Sequence, residues 1–150
     1  MTIKIARISA TEPSLVPLFE AQDEEYAPLY PPEVNFTVPI AELDRRDLHF
    51  FALRENGTIK GFGGVLLADG FAELKRIYVP PEFRGHGIAV MIVETLQDHA
   101  RNNGYSKVVL ETGEESPGAI RLYEKLGYVR IGPFGEYEDN GSSVFMEKAL

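Results

Sequence analysis

The segment Leu74-Lys-Arg-Ile-Tyr-Val-Pro-Pro-Glu-Phe-Arg-Gly-His-Gly-Ile-Ala89 has the residue types needed to bind an anion. An apolar run stops at Pro80-Pro81, a turn carrying Gly85 and Gly87 follows, and an apolar helical stripe starts at Ile88. Glycine permits the positive φ of a tight turn, and the first N–H groups of a helix lack internal partners. Such a terminus attracts a diphosphate, with Arg84 and His86 available to supplement the amides. A surface ion pair for Arg84 and a solvent-facing place for His86 are the plainer readings of those two side chains. The nucleoside-triphosphate loop G-x-x-x-x-G-K-[ST] is absent, and Gly85-His-Gly-Ile-Ala-Val90 lacks the third glycine of a dinucleotide fingerprint. Neither H-E-x-x-H nor G-x-S-x-G occurs, His49 and His99 are isolated in sequence, and no metal is expected.

Positioning such a turn requires a strand before it and a helix after it. Lys4 to Ile8 reads as a first strand, and a helix over about Ser14 to Glu25 takes Pro13 or Pro17 into its first turn. The loop Tyr26-Ala-Pro-Leu-Tyr-Pro-Pro-Glu33 cannot be regular helix, and a short helix is expected near Ile40 to Arg46. His49 to Arg54, Lys60 to Leu67 and Phe71 to Val79 read as antiparallel strands joined at Asn56-Gly57 and Asp69-Gly70. Ile88, Ile92, Leu96 and Ala100 form the stripe of an amphipathic helix that Gly104 closes. Val108-Val-Leu110 reads as a buried strand. Ser116-Pro117 reads as an N-cap with proline at the first helical position, and Gly127 ends that helix. Tyr128 to Ile131 and Val144 to Glu147 complete the pattern, which predicts an α/β or α+β sheet with helices on it.

Arg84-Gly-His-Gly-Ile-Ala89 matches [QR]-x-x-G-x-[GA], and Ala119-Ile-Arg-Leu-Tyr-Glu-Lys-Leu-Gly-Tyr128 matches A-x-x-L-Y-x-x-x-G-[FY]. With one strand between them, these motifs resemble the GNAT superfamily of acetyl-CoA-dependent N-acetyltransferases. The likeness is carried by Phe71 to Ile131 and extends by element order over residues 1–150, read as a single domain. It implies a GNAT fold: a mixed, mostly antiparallel central sheet splayed between two strands, with helices on both faces. It also implies that acetyl-CoA is the cosubstrate, its diphosphate held by main-chain groups of Arg84, Gly85, His86, Gly87, Ile88 and Ala89. Backbone groups around Ile77, Tyr78 and Val79 would pair with the pantetheine arm. Ser116 stands where many family members place an asparagine that touches that arm; a helix cap is its other reading.

For the chemistry, the resemblance implies that Tyr123 protonates the departing thiolate, against the alternative of a core tyrosine. Phe71-Ala-Glu-Leu74 resembles the histone-acetylating branch, which makes Glu73 the candidate base, against that of an exposed strand charge. A base is needed because an alkyl ammonium must lose a proton before it can attack. Acceptor contacts are expected at Tyr30, Glu33 and Tyr137, the last within Gly132-Pro-Phe-Gly-Glu-Tyr137 through Ser143, which resembles a bacterial subgroup pattern. Hairpin packing is the competing account of Tyr137.

Composition narrows the partners. The 150 residues carry 23 acidic and 15 basic side chains, a formal charge of −8, which disfavours nucleic acid. The charges balance between Glu73 and Arg130, so the acidic excess lies in segments expected to face the acceptor. That distribution fits a cationic amine. With no cysteine there is no disulfide frame or thiol nucleophile, and direct attack of the amine is expected. No apolar run of membrane-spanning length and no leader-like N-terminus is seen, so the expectation is a cytoplasmic protein that binds no membrane. The expected reaction is acetylation of a small-molecule primary amine. Acetylation of a protein N-terminus or lysine, or non-catalytic sensing of acetyl-CoA, stand as alternatives, and homodimerisation is open.

Overall fold

The computed structural model describes residues 2–150. Strands β1 (Ile3–Ile8), β2 (Leu48–Glu55), β3 (Thr58–Leu67) and β4 (Ala72–Tyr78) form an antiparallel meander. Its tight corner at Asn56-Gly57 takes positive φ at both residues, as that turn chemistry requires. Beyond β4 come β5 (Lys107–Gly113), β6 (Val129–Ile131) and β7 (Ser143–Ala149), giving the sheet order β1-β2-β3-β4-β5-β7-β6. Among the described residues only β4 and β5 pair in parallel. Their connection is the helix α2 (Ile88–Asn102), since a parallel crossover needs a long return path.

Helices cover both faces. Successive residues of β2 divide between two cores: Phe50 and Ala52 pack with Leu15 and Phe19 of α1 (Val16–Tyr26) and its N-cap, while Leu53 packs with α2. The predicted stripe Ile88, Ile92, Leu96 and Ala100 is buried throughout, joined in the same core by Ile120 and Tyr123 of α3 (Pro117–Lys125). Burying such side chains stabilises a fold by roughly 1.5–3 kcal/mol each. No helix among the described residues is long and apolar enough to cross a membrane.

Two expected elements differ. The helix expected near Ile40 to Arg46 is only a 3₁₀ turn, Ile40–Glu42. Leu43 drops into the α1 core there, and Arg45 turns onto Asp47 with a 2.9 Å hydrogen bond, so the chain cannot continue as a helix. The first helix begins at Val16 rather than Ser14, with a proline in its opening turn.

The feature that makes a site is the fork between β4 and β5. They pair only at Ala72↔Val108 and Glu73↔Val109 and then diverge. Just past the fork β4 bulges: three residues of β3, Phe62 to Gly64, face four of β4, Lys75 to Tyr78. Arg76 occupies the bulge with φ +52°. A non-glycine residue there is strained and must be held by its surroundings. Its guanidinium donates to the Val38 carbonyl at 2.8 Å and to Gln22 Oε1 at 2.9 Å, and lies 3.0 Å from Asp23.

Candidate active site

At the fork lies an inner cavity of about 130 Å³, lined by Glu73, Lys75 and Ile77 from β4, Glu111 from β5, and Ser116 and Tyr123 from α3 and its N-cap. Tyr26 and Tyr30 close it from the α1 side. Next to it is an outer cavity of about 680 Å³ lined in part by Glu33, and Phe36, Glu73 and Tyr137 form walls of both. Of the residues singled out in the sequence, Tyr30, Glu73, Ile77, Ser116, Tyr123 and Tyr137 therefore converge on the inner space, and Glu33 on the outer.

Glu73 occupies the last paired position of β4 and is 4% exposed. Its Oε2 accepts from the Tyr137 hydroxyl at 2.7 Å and sits 2.8 Å from Lys75 Nζ. Lys75 Nζ also donates to the Tyr137 hydroxyl at 2.7 Å, closing a triangle. Tyr137 is thus part of the polar cluster as well as of the hairpin packing, where Phe134 and Phe145 touch its ring. Burial and the adjacent Glu73 carboxylate push the Tyr137 hydroxyl well above its ordinary pKa.

Glu111 was not foreseen. It stands two residues past the fork on β5, with Oε2 accepting from Ser143 Oγ at 2.7 Å. Burial pushes its carboxyl up to about 7, while the Ser143 hydrogen bond and Lys75 oppose the rise and Glu73 adds to it. The signal in the sequence was a carboxylate closing the buried run Val108-Val-Leu-Glu111, an unfavourable place for a charge without a purpose.

Tyr123 is 7% exposed, and among the described residues no group hydrogen-bonds its hydroxyl. Burial, with smaller contributions from Tyr26 and Tyr128, raises its pKa far above the ordinary phenol value. Its hydroxyl therefore keeps its proton at neutral pH.

Gly85 and Gly87 take φ values of +86° and +78°, and α2 starts at Ile88 with no side-chain cap on its first N–H groups. The turn carrying Arg84 to Ala89 lines neither cavity. Arg84 forms the ion pair that was its plainer reading: Nη2 contacts both Glu25 oxygens at 2.9 Å, and Nε donates to the Val79 carbonyl at 2.8 Å. That carbonyl is consequently occupied by the protein itself. The Ile77 carbonyl accepts a longer bond, 3.4 Å, from Gln22. The Tyr78 side chain faces away from the cavities into the α1 core, where burial and Glu25 raise its hydroxyl to about 12. His86 is exposed.

The cap expected at Ser116 is not made. Its side chain caps no N–H; Oγ lies 2.6 Å from the Tyr30 hydroxyl, so the cavity wall has recruited it. Gly113, at the end of β5, leaves the space in which the Tyr30 ring lies.

Comparison with known proteins places this arrangement. A profile of the Acetyltransferase (GNAT) family matches residues 15–128. The "IAA acetyltransferase" of Azospirillum brasilense is 37% identical over 150 residues, spanning 99% of this chain and 98% of that protein. A Klebsiella pneumoniae structure, provisionally classed as an acyl-CoA N-acyltransferase, superposes with a TM-score of 0.86 at 30% identity, covering 99% of this chain and 98% of its own. The PaiA N-acetyltransferase of Thermoplasma acidophilum, solved in complex with coenzyme A, shares the fold over 100% of both chains, with a TM-score of 0.76 at 20% identity. The forked sheet, the glycine turn and the family match together make this chain an acyltransferase belonging to the GNAT acetyltransferase family.

Proposed function

We propose that the chain acetylates the primary amine of a small molecule by direct transfer from acetyl-CoA in a ternary complex. The observation that carries this reading is the inner cavity, where the unpartnered Tyr123 hydroxyl shares one space with the carboxylates of Glu73 and Glu111.

The glycine turn fits the coenzyme's anionic diphosphate. The first N–H groups of α2 are uncapped, and a Cβ added at Gly85 or Gly87 would meet nothing, so the space before them is open. Main-chain groups of residues 84–89 would hold the diphosphate, and the backbone at Ile77 would offer hydrogen bonds to the pantetheine arm. Bound acetyl-CoA supplies an acetyl group activated as a thioester. We place the reaction in the cytoplasm because it draws on that coenzyme.

Two protons must move as the C–N bond forms and the C–S bond breaks. Glu111 takes the proton that the amine gives up, because a carboxyl raised to about 7 is balanced between both forms at neutral pH. Glu73, the base expected from the sequence, has Lys75 and Tyr137 on one oxygen, and its part is to fix that pair beside the acceptor. Tyr123 holds the proton destined for the departing sulfur.

Calorimetric titration with CoA, followed by thiol release assayed over an amine panel, tests the reading. Micromolar CoA affinity and turnover of at least one amine are expected. Tyr123→Phe should retain CoA affinity and lower kcat by roughly 10²-fold. An unchanged kcat would remove Tyr123 from its role, and CoA binding without turnover of any amine would make the chain a sensor.

A further inference from the structure

The outer cavity carries an inference that rests on the acetyl-transfer reading and narrows its substrate. Its size lies within the usual range of about 300–1,000 Å³ for small-ligand sites. It shares the walls Phe36, Glu73 and Tyr137 with the inner cavity, so only those side chains stand between a ligand there and the space that Tyr123 lines. One part of its wall is apolar, made by Leu66, Phe71, Phe134 and the exposed ring of Phe36. The rim carries the carboxylates of Glu33, Glu136, Glu138 and Asp139, and no lysine, arginine or histidine among the described residues lines it.

Those carboxylates cannot be serving the nitrogen that reacts. That nitrogen must be neutral when it attacks, and a carboxylate cluster favours the ammonium form. On the inner cavity's wall the charge of Glu73 is offset by the Lys75 ammonium 2.8 Å away, and that ammonium disfavours a second cation beside it. The electrostatic gradient therefore runs from a site tolerating a neutral amine inside to one attracting a cation outside, with an aromatic and aliphatic surface between.

We propose that the acceptor is a small aliphatic diamine or polyamine. One amino group enters neutral past Tyr137 and is acetylated, the methylene spacer lies on Phe71 and Phe134, and a second, still protonated amino group is held by the outer carboxylates. Ammonium over aromatic faces adds to that attraction.

The test compares kcat/KM for 1,5-diaminopentane, pentylamine, phenethylamine and a lysine-containing peptide, at pH 8 and low ionic strength, by thiol release. The diamine should exceed pentylamine by tenfold or more, the gap lying in KM and shrinking at 0.5 M salt as screening predicts. The combined variant Glu136→Gln/Glu138→Gln/Asp139→Asn changes only exposed side chains, so its folding is not at issue. It should bring the ratio of diamine to pentylamine down several-fold. Equal use of pentylamine and diamine, or preference for phenethylamine or the peptide, would overturn this assignment while leaving acetyl transfer intact. No thiol release with any amine, despite CoA binding, would overturn both.

Discussion

The Tyr30 hydroxyl lies 2.6 Å from Ser116 Oγ, joining the segment after α1 to the start of α3 across the mouth of the forked sheet. The bond exists because Gly113 has no side chain: a Cβ there would overlap the Tyr30 ring. Gly113→Ala should therefore expel Tyr30 and destabilise the fold by about 1–3 kcal/mol. In a Tyr30→Ala background the same change should cost little, because the ring it displaces is gone. Urea unfolding of the four proteins in this cycle measures the coupling. Additive costs would show that Gly113 and Tyr30 do not constrain one another.

Glu111 yields a prediction with opposite signs for activity and stability. Its folded pKa, about 7, is above the ordinary carboxylate value, so the folded protein binds this proton more tightly than the unfolded chain does. Folding stability from this group consequently falls as pH rises from about 4.5 to 7 and stays low above that. Glu111→Gln should stabilise the protein at pH 7.5 by about 2 kcal/mol, a figure reduced for partial solvent contact. The same variant should lower kcat/KM severely and abolish the acid limb near pH 7. Thermal melts and a pH–rate profile together decide the matter. A variant that loses stability and keeps the limb would return the base role to Glu73.

Arg76 should be hard to replace. Its side chain is 1% exposed and satisfies the Val38 carbonyl and Gln22 while facing Asp23. Burial lowers its pKa, and Asp23 partly opposes that shift. Arg76→Met would leave these groups without a donor while retaining the strained φ, and should cost about 3–5 kcal/mol. Arg76→Lys should recover little, because a single ammonium cannot span partners arranged for a planar fork. Denaturant midpoints of the two variants give the comparison, and near-full rescue by lysine would refute the geometric account.

The sequence made the framework of this site legible and left much of its polar interior hidden. Asn56-Gly57 and the stripe from Ile88 to Ala100 announced their turn and helix because both signals are local. The glycine turn was legible for the same reason: Gly85 and Gly87 need positive φ wherever the rest of the chain lies. Ser116 misled because a serine before proline caps a helix by local rule, whereas its partner Tyr30 is 86 residues away. Glu111 stayed hidden because its burial is created by the divergence of two strands and its partner Ser143 arrives on β7. Local patterns thus set the elements, while the charge states within the cleft emerge only when the elements meet.

A pair of histidines that are 50 residues apart in the chain supplies the last prediction. His49 Nε2 lies 2.9 Å from the Arg46 carbonyl and must donate to it, which leaves Nδ1 as an acceptor in the neutral ring. His99 Nε2, 2.7 Å from that Nδ1, must then carry the proton between them. The pair is satisfied with both rings neutral, and protonating both would set two N–H groups against each other. Burial lowers the His99 pKa, with His49 and Arg7 adding repulsion. A histidine whose folded pKa lies below its unfolded value stabilises the fold above the unfolded pKa, near 6.5, and loses that contribution as pH falls towards the folded value. In a Glu111→Gln background, which removes the opposite contribution of that carboxyl over the same range, the melting temperature should accordingly decline between pH 7.5 and 5.5. His99→Gln should flatten that decline by removing one titrating ring from the pair. Melting curves at half-unit pH steps read the slope directly, and equal slopes in the two proteins would mean that the pair does not couple protonation to folding.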